Sequence, residues 1–363
     1  MGKRICYIHI GPHKSGTTAI QWFLRENRSE LLKHGYFVPD SGTVHGGHHP
    51  LARKLCGHAV PDHQQLVDVA FVHMLYATAC NAVVISSEHL EELLSNAASA
   101  NVFFNRITEL NLEPKLILFP RNQSQLLNSR YAQVVQDFRR SESFEAFVRA
   151  EIHHPNFRYA QWTEFADGFG AELIARPFTS DTAAHGVVPE FLRIVGLDPS
   201  RFGNTRISRN RAAGPFAVSA ARGVLRSIAI SCQQLTWLQG ERCKKRFATY
   251  LEQNRLVDTG YCGLTTAVAR HIEKEWRAAN DVFAQLVWKK SWAEVFALDV
   301  AEEFVPNDFD IRLPDFATRR RLKRVIRHMK PIVEAILKDP ALVVKTSWND
   351  LRQRSGWLAN VNS

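Results

Sequence analysis

The sequence predicts an α/β fold: a central parallel sheet flanked by helices, with a mainly helical C-terminal half. Short apolar runs recur at Ile5–Ile10, Ala82–Ser86, Leu116–Phe119 and Glu172–Ala175. Stretches of helical periodicity, such as Gln64–Ala79 and Asn101–Leu110, lie between them. Strands that alternate with helices build a parallel sheet with helices packed on its faces. Apolar runs without a polar alternation fit strands buried on both faces. After about residue 200 the strand signal fades, and Arg211–Cys232, Gln234–Asn254, Leu264–Leu286 and Arg319–Leu337 read as helices. The expected organisation is an α/β core over residues 1–200 and a helical extension over 201–363.

The first run leads into the most informative segment, Gly11-Pro12-His13-Lys14-Ser15-Gly16-Thr17-Thr18. Two glycines let a backbone turn sharply enough to point successive N–H groups into one concavity. Thr17 and Thr18 open a helix that continues through Ile20, Trp22, Phe23 and Leu24. An anion at such a helix start meets unbonded N–H groups and the positive end of the dipole. Lys14 adds a full charge, and Ser15, Thr17 and Thr18 add hydroxyl donors. A nucleoside triphosphatase loop of the Walker type places lysine directly after the second glycine. Here lysine precedes Gly16 by two residues, which disfavours a magnesium-dependent NTPase.

A second strand-to-helix segment runs Lys115-Leu-Ile-Leu-Phe-Pro120-Arg121-Asn122, with Ser129, Arg130 and Tyr131 following. Arg121 stands at the strand's end, and Ser129 lies a little over two helical turns further on. The pattern G-x-x-K-[ST]-G-T-T after an N-terminal strand, followed by this Arg…Ser pair, resembles sulfotransferases that use 3′-phosphoadenosine-5′-phosphosulfate (PAPS). The resemblance is sharpest over residues 5–25, 82–92 and 115–135, and bacterial carbohydrate sulfotransferases are the nearest type. It extends loosely to Trp288–Phe309, which is similar to their aromatic-rich tail. What it implies is a P-loop-like fold, PAPS as co-substrate and no metal. Lys14, Ser15, Gly16, Thr17 and Thr18 would hold the 5′-phosphosulfate, and Arg121 and Ser129 the 3′-phosphate. Asn122 stands where the family usually has an acidic residue.

Sulfuryl transfer needs charge stabilised on the leaving phosphate, a role that falls to Lys14, and a base for the acceptor proton. The strand-end sequence Ser86-Ser87-Glu88-His89 supplies Glu88 as the favoured base, with His89 turning away if strand geometry continues. Glu88 also reads as a first-turn acid behind an N-capping Ser87, with Glu91 and Glu92 in the same role. His48 and His49, in the loop Gly46-Gly47-His48-His49, are further candidates, and His45 belongs to the same cluster.

The chain has 363 residues, 45% hydrophobic and 23% charged, which is ample for a sizeable core and argues against global disorder. The formal charge of +10 fits an anionic ligand, whether PAPS, nucleic acid or an acidic polysaccharide. Its densest basic stretch, Arg319-Arg320-Arg321-Leu322-Lys323-Arg324 with Arg327, reads as an amphipathic helix with one solvated basic face. No CxxC or metal-type spacing joins the six cysteines, which are expected to be buried free thiols. No apolar run reaches the roughly 18 residues of a membrane span. The first strand begins where a signal peptide would lie, and Cys6 stands where a myristoylation motif needs Ser or Thr, so a cytoplasmic protein is expected. Trp237, Trp276, Trp288 and Trp292 are read mainly as packing residues, with sugar stacking as the alternative. The functional expectation is a sulfotransferase acting on a hydroxyl or amine of a carbohydrate or glycolipid. A diverged P-loop kinase or NTPase, and a non-catalytic nucleotide or polyanion binder, are the alternatives.

Overall fold

Five strands, β1 (Arg4–His9), β2 (Tyr36–Phe37), β3 (Ala82–Ser86), β4 (Leu112–Leu118) and β5 (Glu172–Ala175), form one sheet in the computed structural model. The residues described are 2–44, 46–203, 205, 213–228, 235–297 and 304–339. The strand order is β2-β3-β1-β4-β5, and every pairing is parallel. Ile5 pairs with Ala82 and His9 with Ser86 on one side of β1, while Ile8 pairs with Leu116 on the other.

The α/β expectation is met, and the uninterrupted apolar character of the strands has its explanation here. Successive side chains alternate between faces, and both faces are covered. Cys6, Ile8, Val83, Ile85, Leu116 and Leu118 enter one core cluster, with Phe71, Phe103 and Trp162. Tyr7, Val84, Ile117 and Phe119 enter the other, with Ile20, Phe23 and Phe191. β4 starts earlier than the apolar run implies, because Glu113-Pro114-Lys115 interrupts the pattern. Pairing with β5 begins only at Lys115, so Pro114 stands beyond that ladder, where its missing N–H matters least. Lys115 then bridges to Glu172 across the two strands at 2.6 Å.

The chain divides into two compact units, each assembled from three stretches rather than from one side of residue 200. Met1–Gln123, His154–Arg209 and Lys274–Glu302 form the first unit; Ser124–His153, Asn210–Glu273 and Glu303–Ser363 form the second. The sheet belongs to the first, and so do Trp276, Trp288 and Trp292. Trp276 and Trp292 are buried, and Trp288 donates from Nε1 to the Ala175 carbonyl at 3.0 Å. These three are packing residues; the surroundings of Trp237 fall outside the description.

The second unit is helical, with Phe144–Glu151, Pro215–Ser227, Trp237–Gln253 and Phe316–Lys338. Gly223 lets Pro215–Ser227 approach the last helix closely, because a Cβ there would clash with Ile326. Its buried centre is ionic. Arg222 donates to both oxygens of Asp308, at 2.8 and 3.1 Å, and the Tyr261 hydroxyl donates to the same carboxylate at 2.6 Å.

Cys6, Cys56 and Cys243 are buried free thiols, whereas Cys80 and Cys262 are only half-buried; Cys232 lies outside the described residues, as do His45 and part of Trp288–Phe309. Among the described residues, no helix is long and apolar enough to cross a membrane.

Candidate functional site

The carboxyl ends of β1, β3 and β4 carry the candidate site, where ligands of open α/β sheets gather. From β1 the chain enters the loop through Gly11 at φ 103° and passes Lys14 at 69° and Gly16 at 82°, all left-handed. Gly16 is required twice over: L-residues resist that φ, and a Cβ there would lie 2.6 Å from Val187 Cγ1. It also stands at the N-cap of the helix Thr17–Glu26, which has no side-chain cap and no acid in its first turn. No acid in its own first turn offsets the positive end of that helix.

The loop is braced from within. Ser15 Oγ donates to the Pro12 carbonyl at 2.6 Å, and Thr17 Oγ1 donates to the same oxygen at 3.2 Å. Two of the three hydroxyls expected to donate to a ligand thus turn their hydrogens inward, while Lys14 and Thr18 are half-buried. At the end of β4, Arg121 Nη1 donates to the Lys14 carbonyl at 2.7 Å, and its guanidinium lies 5.4 Å from the Phe178 ring centre. Buried Tyr159 fixes its backbone, donating to the Arg121 carbonyl at 2.9 Å and accepting from its N–H at 3.2 Å. A guanidinium held this way loses little freedom when it binds an anion.

The end of β3 turns into a 3₁₀ helix, Glu88–Leu94, capped by Ser87 Oγ, which accepts from the His89 N–H. The first-turn reading of Glu88 is therefore geometrically right, and the strand does not continue far enough to turn His89 away. Instead His89 stacks on His49, with ring centroids 4.5 Å apart. Glu88 accepts from Gln21 Nε2 at 2.6 Å, with His13 Nδ1 and His49 Nε2 each 3.9 Å from its oxygens. Burial acts to raise its pKa, but His13, His49, its own N–H and Gln21 outweigh that, and the carboxyl lies below its usual range. Glu88 is thus a carboxylate at neutral pH, with 18% of its side chain exposed.

Neighbouring groups are structural. His48 is fully buried, accepting from the Ser86 N–H at Nδ1 and donating from Nε2 to the Pro39 carbonyl. Burial holds its pKa down at about 4. It is not placed to meet an acceptor. Ser129 belongs to the second unit.

Sequence reasoning gave no site role to Gln21, His13, Asn156 and Tyr159, and read Glu91 only as a first-turn acid. Glu91 accepts from the His13 N–H at 2.7 Å and from Asn156 Nδ2 at 2.6 Å, tying the loop to the end of β3. His13 and Gln21 carried a usable signal, lying within the loop and on the following helix turn. Among the described residues, no three or more His, Cys, Asp or Glu side chains gather where they could hold a metal ion. Comparison with family models, with curated proteins and with solved structures finds no match to this chain.

Proposed function

We propose that the chain transfers the sulfuryl group of PAPS to a hydroxyl or amine, most readily one on a carbohydrate or glycolipid. The observation that carries this reading is the Arg121–Lys14 link: a strand-end arginine and a glycine-bounded loop, distant in sequence, meet at 2.7 Å. That meeting supports a ligand with two anionic ends, one at the helix start and one near Arg121. Glu88, ionised and partly exposed, stands on the neighbouring strand end.

The residues divide the work. The loop N–H groups and helix dipole hold the 5′-phosphosulfate. As the acceptor oxygen or nitrogen bonds to sulfur, the bond from sulfur to the bridging phosphate oxygen breaks, and Lys14 stabilises the charge left on that phosphate. Glu88 takes the acceptor proton. Gln21, on Glu88 Oε2, orients the carboxylate.

Calorimetric titration with 3′-phosphoadenosine-5′-phosphate, without magnesium, tests the reading against ATP with magnesium. Tighter binding of the bisphosphate is expected. Preference for magnesium–ATP would sink the proposal and favour a kinase.

A further inference from the structure

The second unit carries a surface that the nucleotide site does not explain. The helix Phe316–Lys338 buries Val325, Met329, Val333 and Ile336. At 100° per residue, the face opposite these carries Phe316, Arg320, Lys323, Arg324 and Arg327. All five are exposed, and the run from Phe316 to Arg327 spans roughly 16 Å. A solvated helix face accounts for the basic residues. It does not account for what precedes them: Ile311, Leu313 and Phe316 are 49%, 79% and 73% exposed.

These apolar side chains sit on a fixed backbone. The N–H groups of Ile311 and Arg312 bond to the Asp308 carbonyl at 2.9 and 2.8 Å. Asp308 is itself anchored by Arg222 and Tyr261. Asn307 bonds to Cys262 through its own N–H and its side-chain oxygen. Asp315 caps the helix through the Thr318 N–H at 2.8 Å. The local acids are engaged as well: Asp308 and Asp310 pair with Arg222, and Asp315 serves as the cap. What remains is a positive face with an apolar tip.

We propose that this face docks on an anionic membrane surface, with Leu313 and Phe316 entering the headgroup boundary and Arg320, Lys323, Arg324 and Arg327 meeting acidic lipid headgroups. The combination decides the partner. A nucleic acid or acidic polysaccharide would use the basic residues and could stack on Phe316, but would leave Leu313 in water. A lipid interface uses both, because apolar insertion and electrostatic attraction add. The inference does not depend on the proposed sulfuryl transfer.

Flotation of the full chain with phosphatidylglycerol and with phosphatidylcholine vesicles tests it, alongside two variants: Leu313→Ser/Phe316→Ser and Arg320→Gln/Lys323→Gln/Arg324→Gln/Arg327→Gln. Wild type is expected to float with the anionic vesicles alone. The apolar variant should bind about tenfold less, and the charge variant about a hundredfold less and with a weaker salt dependence. Unchanged thermal melts confirm that both variants fold, since every altered side chain is exposed. If wild type stays unbound on phosphatidylglycerol, or the apolar variant floats as well as wild type, the proposal is overturned; the latter is the behaviour of a general polyanion-binding face.

Discussion

Each unit of this molecule holds a carboxylate among basic side chains, and the two are built to opposite ends. Asp308, in the second unit, accepts two bonds from Arg222, one from Tyr261 and one from the Asp310 N–H, and its side chain is 1% exposed. Glu88, in the first unit, accepts one side-chain bond from Gln21, stands 3.9 Å from two imidazoles and is 18% exposed. Both carboxyls lie below their usual range: burial raises each, and the surrounding donors and basic groups outweigh it. Acidity therefore does not separate them. Saturation does: a carboxylate with its oxygens filled holds a fold together, whereas one with room beside it can accept a proton from something that arrives.

The sharpest way to break this comparison is to alter one charged group in each cluster. Arg222→Met strands a buried carboxylate, and urea denaturation should record a loss of about 3–5 kcal/mol. Replacing Asp308 by Leu in the same background should recover much of it, since an apolar pair of similar volume often suffices. Glu88→Gln, by contrast, should change stability by less than about 1 kcal/mol, because the amide keeps the shape and much of the hydrogen bonding. The same variant should keep its affinity for the bisphosphate and lose about a hundredfold in acceptor-dependent transfer. A Glu88 variant as damaged in stability as Arg222→Met would erase the distinction.

An effect smaller per residue comes from histidines in the first unit. Burial first, against a raising field from Glu88, holds buried His9 at about 4. His48 is held at about 4 by burial too, with its bonds to Pro39 and Ser86 opposing and Arg28 and His49 assisting. Both stay neutral in the fold and would protonate near 6.5 when unfolded. Their contribution is present above pH 6.5 and is lost as pH falls towards 4, since the unfolded chain binds more protons in that window. At pH 5 the loss should be about 2 kcal/mol per histidine. Denaturation midpoints that stay level between pH 7.5 and 5 would contradict the burial of both rings.

How much of this was legible in the sequence depends on how local each signal is. β3 and β5 could be read to the residue, because apolar runs there end abruptly at polar ones. β2 could not, since two residues carry no period, and the start of β4 hid behind Pro114 and two charges. The glycine-bounded loop was legible because its glycines and lysine are neighbours in sequence. The frame around it was not: Glu91 meets His13 and Asn156, and Tyr159 meets Arg121, across separations that no local pattern encodes. The inward turn of Ser15 and Thr17 onto Pro12 was equally hidden, because residue type gives a hydroxyl's presence and not its direction.

Arg121 joins the loop to the strand end, and the proposed anion site depends on it. Titration of 3′-phosphoadenosine-5′-phosphate into Arg121→Ala tests it most directly. Loss of one charge-assisted contact predicts affinity about ten- to a hundredfold weaker than wild type, with the urea midpoint nearly unmoved. Equal affinity in the variant and wild type would contradict it.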